Sequence, residues 1–121
     1  MIRKASEMRV ESLPNLKDGN KTVKVINFIE GEEAENLGRL FGISIIPEGG
    51  SIGYHQHVGD FEIYYILHGK ALVNDNGAEA VLTVGDMMKC DEGGFHSIEN
   101  IGDCELRYVA LILNSQSKMS C

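Results

Sequence analysis

From Arg39 onward the chain alternates short apolar runs with turn-forming residues. The runs read "RLFGISII", "SIGYHQH", "FEIYYIL", "KALV", "EAVLTV", "MMKC", "FHSIEN" and "ELRYVALIL". Between them stand Pro47-Glu48-Gly49-Gly50, Val58-Gly59-Asp60, His68-Gly69, Asn74-Asp75-Asn76-Gly77, Gly85-Asp86, Asp91-Glu92-Gly93-Gly94 and Ile101-Gly102-Asp103. Short runs at even spacing predict an all-β antiparallel sandwich or barrel, and the Asn-Gly pair between alternating runs predicts a tight hairpin. Residues 1–38 are more polar. They hold one alternating run, "KTVKVINFI" (21–29), that suits a strand, and an acidic segment, "EGEEAENLG", that suits a loop. No helix of useful length is expected. Residues 1–38 are therefore expected to be an arm or strand packing on the barrel or on a partner subunit, and residues 39–121 the barrel itself.

The two-residue period of a strand gives the polar residues within these runs a direction. His55 and His57 share one face, and Glu62 shares its face with Tyr64 and Ile66. If that face is the barrel interior, two imidazoles and a carboxylate lie where each unpaired polar group costs several kcal/mol. A divalent cation would satisfy all of them through neutral imidazole nitrogens and a carboxylate oxygen. His96, in "GGFHSIEN", shares its face with Ile98 and Asn100 and offers a further ligand from another strand. An isolated strand histidine is more simply a hydrogen-bonded structural residue; His68, at a turn, reads as a surface one.

Taken together, Gly49, His55, His57, Glu62 and Gly69 at their spacings resemble the first cupin motif. Gly85, Asp91, Gly93, His96 and Asn100 resemble the second, with Asp91 where the cupin pattern carries proline. An aspartate can close that bend through an Asx-turn, so the bend is expected to survive. The resemblance implies a double-stranded β-helix, or jelly-roll cupin barrel, holding one divalent transition metal ion (Mn, Fe, Ni, Cu, Co or Zn) on His55, His57, Glu62 and His96. Four protein ligands would leave coordination positions open for a small oxygen-bearing organic substrate. Dioxygenase-like chemistry is the first choice by that resemblance, with Glu62 alternating between ligand and proton acceptor and Tyr64 hydrogen-bonding substrate. The alternatives are an isomerase or lyase on the same site, and a non-catalytic module that senses a metabolite or holds metal.

Composition narrows the partners. The chain has 121 residues, 43% hydrophobic and 24% charged, a proportion ordinary for one globular domain. Its formal net charge of -7 argues against nucleic acid and anionic membranes, which need basic surfaces. No apolar stretch is long enough to span a bilayer, and "MIRKASEMRV" lacks the apolar core of a signal peptide, so a cytoplasmic location is expected. Cys90, Cys104 and Cys121 are odd in number and in no CxxC arrangement, which suits reduced, structural thiols. "FEIYYIL" and "LRYVALIL" are apolar on both faces, so their outer faces should be covered by the N-terminal strand or by a second subunit; a homodimer is expected. Ile43, Ile45, Ile66, Met87, Ile98 and Val109 are candidates for the apolar lining of the pocket. At least one ligand histidine should donate its other ring N–H to a carbonyl or carboxylate.

Overall fold

The structure, a computed structural model, describes residues 1–116. Ten strands account for most of them: β1 (Val10–Pro14), β2 (Thr22–Asn27), β3 (Gly38–Ile46), β4 (Ser51–Gln56), β5 (Asp60–His68), β6 (Ala71–Asp75), β7 (Ala78–Leu82), β8 (Met87–Cys90), β9 (Phe95–Asn100) and β10 (Leu106–Asn114). They form two antiparallel sheets facing each other as a jelly roll. The larger has the order β1-β2-β3-β10-β5-β8, the smaller β4-β9-β6-β7. Between the sheets lie Val23, Ile46, Ile66, Val73, Ile98 and Leu106, all essentially inaccessible to solvent.

Turn chemistry sets the register. Asn76 and Gly77 both take positive φ, 52° and 96°. That is the conformation a two-residue hairpin joining right-twisted strands requires, and it pairs Asp75 with Ala78. The acidic segment forms one 3-10 turn, Gly31–Ala34, where Glu33 receives a bidentate Arg3 at 2.7 and 2.9 Å. Before β9, the bend at Asp91 is closed by the main chain: Gly94 N donates to Asp91 O at 2.8 Å with Gly93 at φ +82°. The Asp91 carboxylate meets Lys89 instead, at 3.1 Å, so no Asx-turn forms.

The first 38 residues supply β1 and β2, which lengthen the larger sheet beside β3. Because they add at the edge, they do not cover the outer faces of β5 and β10, as the apolar character of those runs had suggested. One continuous row on that outer face, Val10, Ile26, Ile43, Val109, Tyr65 and Met87, crosses all six strands in register. Ile43, Val109 and Met87 thus face outward rather than into a pocket. Ile66 and Ile98 are fully buried core. The reason is parity: on β3 the inward residues are Leu40, Gly42, Ser44 and Ile46, which puts Ile43 on the other side.

Candidate metal centre

His55 lies on β4, His57 just past its end, Glu62 on β5 and His96 on β9. Strict alternation cannot turn both Ile52 and His55 inward, since they are an odd number of residues apart. A β-bulge resolves this: Ile52 pairs with Ile98 and His55 with His96, so β4 carries one extra residue between them. The bulge sits at Gly53 and Tyr54. The bulge lies before His55, so His55 and His57 themselves keep the two-residue alternation of the strand. Gly53 is required there by close approach, because a Cβ would lie 1.9 Å from the carbonyl oxygen of Lys17. Beyond the strand, His57 is pinned to the turn before β9 by His57 N donating to Gly94 O at 3.0 Å and Gly93 N donating to His57 O at 2.7 Å.

The four side chains converge. His57 Nε2 lies 3.0 Å from Glu62 Oε1 and 3.1 Å from His96 Nε2. His96 Nε2 is 3.1 Å from His55 Nε2 and 3.1 Å from Glu62 Oε1. One ligand atom from each residue falls within 4.8 Å of all the others. His57, Glu62 and His96 are buried and His55 is half-buried.

Outer partners fix which ring nitrogen faces inward. His55 Nδ1–H donates to Gly53 O at 2.7 Å, and His57 Nδ1–H donates to Asp60 Oδ1 at 2.7 Å. In the neutral rings both Nε2 atoms therefore present lone pairs to the centre, against each other's neighbours and against the Glu62 carboxylate. That convergence of lone pairs and negative charge is repulsive unless a proton or cation lies within it. Three imidazole nitrogens and one carboxylate oxygen are a donor set suited to a first-row divalent ion, so the residues fit the metal their pattern implies.

The electrostatics follow from burial and these bonds. Burial lowers the pKa of His55. Burial works against the charged form of His57 too, but the bonds to Glu62 and Asp60 outweigh it and hold its pKa above the ordinary value. At Glu62 and Asp60 burial favours the protonated acid. It is overcome at Glu62 by His57 and His96 and at Asp60 by Arg39 and His57, so both carboxyls are held below their usual range. Tyr64, 2% exposed, stacks on the His96 ring with centroids 5.1 Å apart and 17° between planes. Its pKa is raised well above the ordinary value, chiefly by burial, so it stays a neutral donor.

His55, His57, Glu62 and Tyr64 form one side of a cavity of about 340 Å³, with the fully buried His96 behind them. Its other walls include Leu13, Leu16, Val25, Leu40, Ile52 and Ile112, several of them from the N-terminal strands, and its mouth carries Arg9, Glu30 and Arg39. His68 stands at a strand end, donating to Glu105 O at 2.8 Å, away from the centre. Cys90 is fully buried opposite Glu62 on β8, with its thiol pushed up to about 11, chiefly by burial. Cys104 is an exposed free thiol, and Cys121 lies outside the described residues. The sequence pattern did not single out Asp60, which joins the centre to Arg39 through an Arg39 Nε–H donor at 2.9 Å. Its signal was the parity it shares with Glu62 and Tyr64.

The profile described as Cupin domain matches residues 42–112. A protein of Thermotoga maritima named oxalate-binding protein is 38% identical over 113 residues, 93% of each chain. A crystal structure from the same organism, described as a predicted oxalate decarboxylase, superposes with a TM-score of 0.90 at 37% identity, over 95% of this chain and all of that one. The cupin domain of Drosophila melanogaster CENP-C shares the fold alone, with a TM-score of 0.73 at 18% identity over 92% of this chain and 74% of that one. With more than half its length matched by that profile and a relative covering nearly all of it, this chain belongs to the cupin family.

Proposed function

We propose that this protein is a mononuclear metal-binding cupin whose ligand is a small organic acid, with His55, His57, Glu62 and His96 as the metal ligands. The observation that carries this is the meeting of three imidazole nitrogens and one carboxylate oxygen, with His55, His57 and Glu62 on the wall of a cavity large enough for a small molecule. The Thermotoga relatives, one named for oxalate binding and one described as a predicted oxalate decarboxylase, support a carboxylate as the group presented to the centre. When bound, a divalent cation would supply Lewis acidity toward such an oxygen donor. Around it, Asp60 orients His57, Glu62 can exchange between ligand and proton acceptor, and the neutral Tyr64 hydroxyl donates to a ligand oxygen.

Turnover of that acid is favoured over passive binding by the enclosure of Glu62 and Tyr64 beside the centre. Lyase-type loss of carbon dioxide has the support of the relative's description, and dioxygenase-like chemistry remains the oxidative alternative. Elemental analysis of wild type and a His57→Ala/His96→Ala variant, followed by incubation with oxalate, tests the proposal. About one metal per wild-type chain, almost none in the variant, and oxalate-dependent stabilisation of the loaded protein are expected. Carbon dioxide release without oxygen uptake would select the lyase; oxygen uptake, with dioxygen as the two-electron acceptor, the oxidative alternative; stabilisation without consumption, a binding module. Equal, negligible metal in both proteins after loading would overturn the proposal.

The free thiols of Cys90 and Cys104 suit a reducing, cytoplasmic compartment, and among the described residues no helix is long and apolar enough to cross a membrane. The apolar row across the outer face of the larger sheet supports a homodimer formed by two copies of that face.

A further inference from the structure

Arg9, Lys17 and Arg39 line the cavity, and they are not equivalent. Arg9 is committed to acidic neighbours, pairing with Glu30 through Nε and with Glu11 at 3.3 Å. Lys17, on the turn between β1 and β2, is an exposed point charge on a flexible stem. Arg39 is placed by the fold itself. Ile112 pairs with Leu40 and the next residue of β10, Leu113, with Gly38, so β3 carries Arg39 as one extra residue. Strict alternation would turn Arg39 away from the cavity that Leu40 faces; the bulge re-aims it, and both residues line the cavity.

Asp60 then holds the guanidinium. Arg39 Nε–H donates to Asp60 Oδ2 at 2.9 Å, while the other oxygen of the same carboxylate accepts from His57 Nδ1–H at 2.7 Å. One buried carboxylate, 4% exposed, thus fixes both a histidine of the centre and an arginine of the cavity. The bond to Asp60 uses Nε, and the Nη1–Nη2 edge of Arg39 donates to no group among the described residues. An edge of two parallel N–H donors matches a carboxylate.

The same geometry bounds what Arg39 can meet. His57 turns Nε2 to the centre and Nδ1 to Asp60, so Asp60 and Arg39 stand behind the imidazole rather than beside the coordination positions. Two carboxylates joined directly, as in oxalate, both stay at the centre; two separated by carbon atoms can serve the centre and Arg39 together. The Arg39 side chain is 58% exposed, so a charged group paired with it keeps much of its hydration and avoids the desolvation cost of a site deeper in the cavity.

Resting on the function proposed above, we infer that Arg39 is a specificity-determining residue that pairs with the second carboxylate of a diacid. The diacid has at least one carbon between its carboxylates, with one at the His55–His57–Glu62–His96 centre and the other on the Nη1–Nη2 edge of Arg39. Asp60 is the positioning residue for both ends.

The test uses metal-loaded protein and acids paired by chain length: malonate with propionate, succinate with butyrate, glutarate with pentanoate. Affinities are measured by calorimetry for wild type, Arg39→Gln, Arg39→Lys and Arg9→Gln. In wild type at least one diacid is expected to bind about five- to tenfold more tightly than its plain counterpart, the size of a charge-assisted pair reduced by solvent screening. In Arg39→Gln that preference should fall to about twofold or less, what two equivalent ends confer by number alone, with metal affinity held within about threefold. Arg39→Lys keeps the charge but loses the two-donor edge and should retain part of the preference; Arg9→Gln should retain all of it. No diacid preference in wild type, a preference that survives Arg39→Gln, or one that Arg9→Gln abolishes, overturns the inference and leaves the metal-centre proposal standing. Failure of wild type to hold metal or any of the acids overturns both.

Discussion

Replacing Asp60 tests how far the centre depends on a residue that cannot reach the metal. Asp60 is 4% exposed and takes two hydrogen bonds, from His57 Nδ1–H at 2.7 Å and Arg39 Nε–H at 2.9 Å. They differ in weight. The Arg39 side chain is 58% exposed, so its pairing is screened and contributes little. His57 is 3% exposed, and its bond to a buried carboxylate fixes the tautomer that turns Nε2 inward. An asparagine carbonyl can still accept from His57, losing only the charge, while its amide displaces the exposed Arg39. An alanine leaves the Nδ1–H of His57 buried with no acceptor and frees the ring to exchange tautomers.

Loss of an outer partner of a ligating histidine typically lowers metal affinity about 10- to 100-fold, or roughly 1.4 to 2.8 kcal/mol. Asp60→Asn is placed at the lower end of that range and Asp60→Ala at the upper, with Arg39→Ala below about threefold. Competition titrations against a chromophoric chelator give the three affinities, and thermal unfolding of the metal-free proteins shows whether each variant folds. If Asp60→Ala keeps its metal affinity within about twofold of wild type, or if Arg39→Ala costs as much as Asp60→Ala, the carboxylate does not organise the centre through His57.

Three further outcomes follow from the same geometry. Without metal, His57 has a raised pKa, so its charged pairing with Asp60 and Glu62 stabilises fully below about pH 6.5 and is lost as pH rises through the higher native value. Asp60 and Glu62 have lowered values, so their contribution is present above about pH 4 and is lost as pH falls through those native values. Because metal needs neutral His57, the rise in Tm on adding metal should be larger near pH 7.5 than near pH 5.5; an equal or smaller rise at the higher pH, measured by scanning fluorimetry, contradicts this. Gly53→Ala sets a methyl against Lys17 O and strains the carbonyl that orients His55, so a stability loss of about 1–3 kcal/mol should accompany weaker metal binding; an unchanged Tm would show that the bulge has slack. Sedimentation should give a dimer of the 13.3 kDa chain at micromolar concentration, converted to monomer by Tyr65→Lys in the outer apolar row, and a wild-type monomer refutes the docking of that face.

Much of this was legible because period two is a strong constraint wherever one face is buried. It placed Glu62 and Tyr64 together and His96 with Ile98 and Asn100, and the structure keeps those groupings. What sequence could not show lies where the period breaks. Ile52 and His55 both face inward only because the bulge at Gly53 shifts the register, and a glycine in an apolar run gives no sign of which side it will re-aim. Asp60 has the right parity but sits beside a glycine turn, where aspartate is also the expected turn residue. The pocket lining was misassigned for the opposite reason. "RLFGISII" is apolar at both parities, so Ile43 was as good a candidate as Leu40 until Ser44 and Gly42 fixed the inward face.

The arrangement divides the work between the sheets. The smaller sheet and its exit turn contribute three imidazoles, held by short main-chain and side-chain bonds within β4, β9 and the 93–94 turn. The larger sheet contributes the carboxylate, both tyrosines and most of the cavity wall, and the N-terminal segment closes it through Leu13 and Leu16. Leu16–Asp18 forms a 3-10 turn, and positive φ at Asn15, Lys17, Asp18 and Lys21 bends this loop against β4, where Gly19 and Gly53 allow backbones to touch. Non-glycine residues in that region carry a conformational cost, of order 1 kcal/mol or more each, that persists only when packing over-determines it. Here the packing partner is the bulge that orients His55. The segment that shapes the apolar wall is therefore mechanically tied to a metal-ligand histidine, and changes in residues 15–21 should alter ligand preference and metal affinity together.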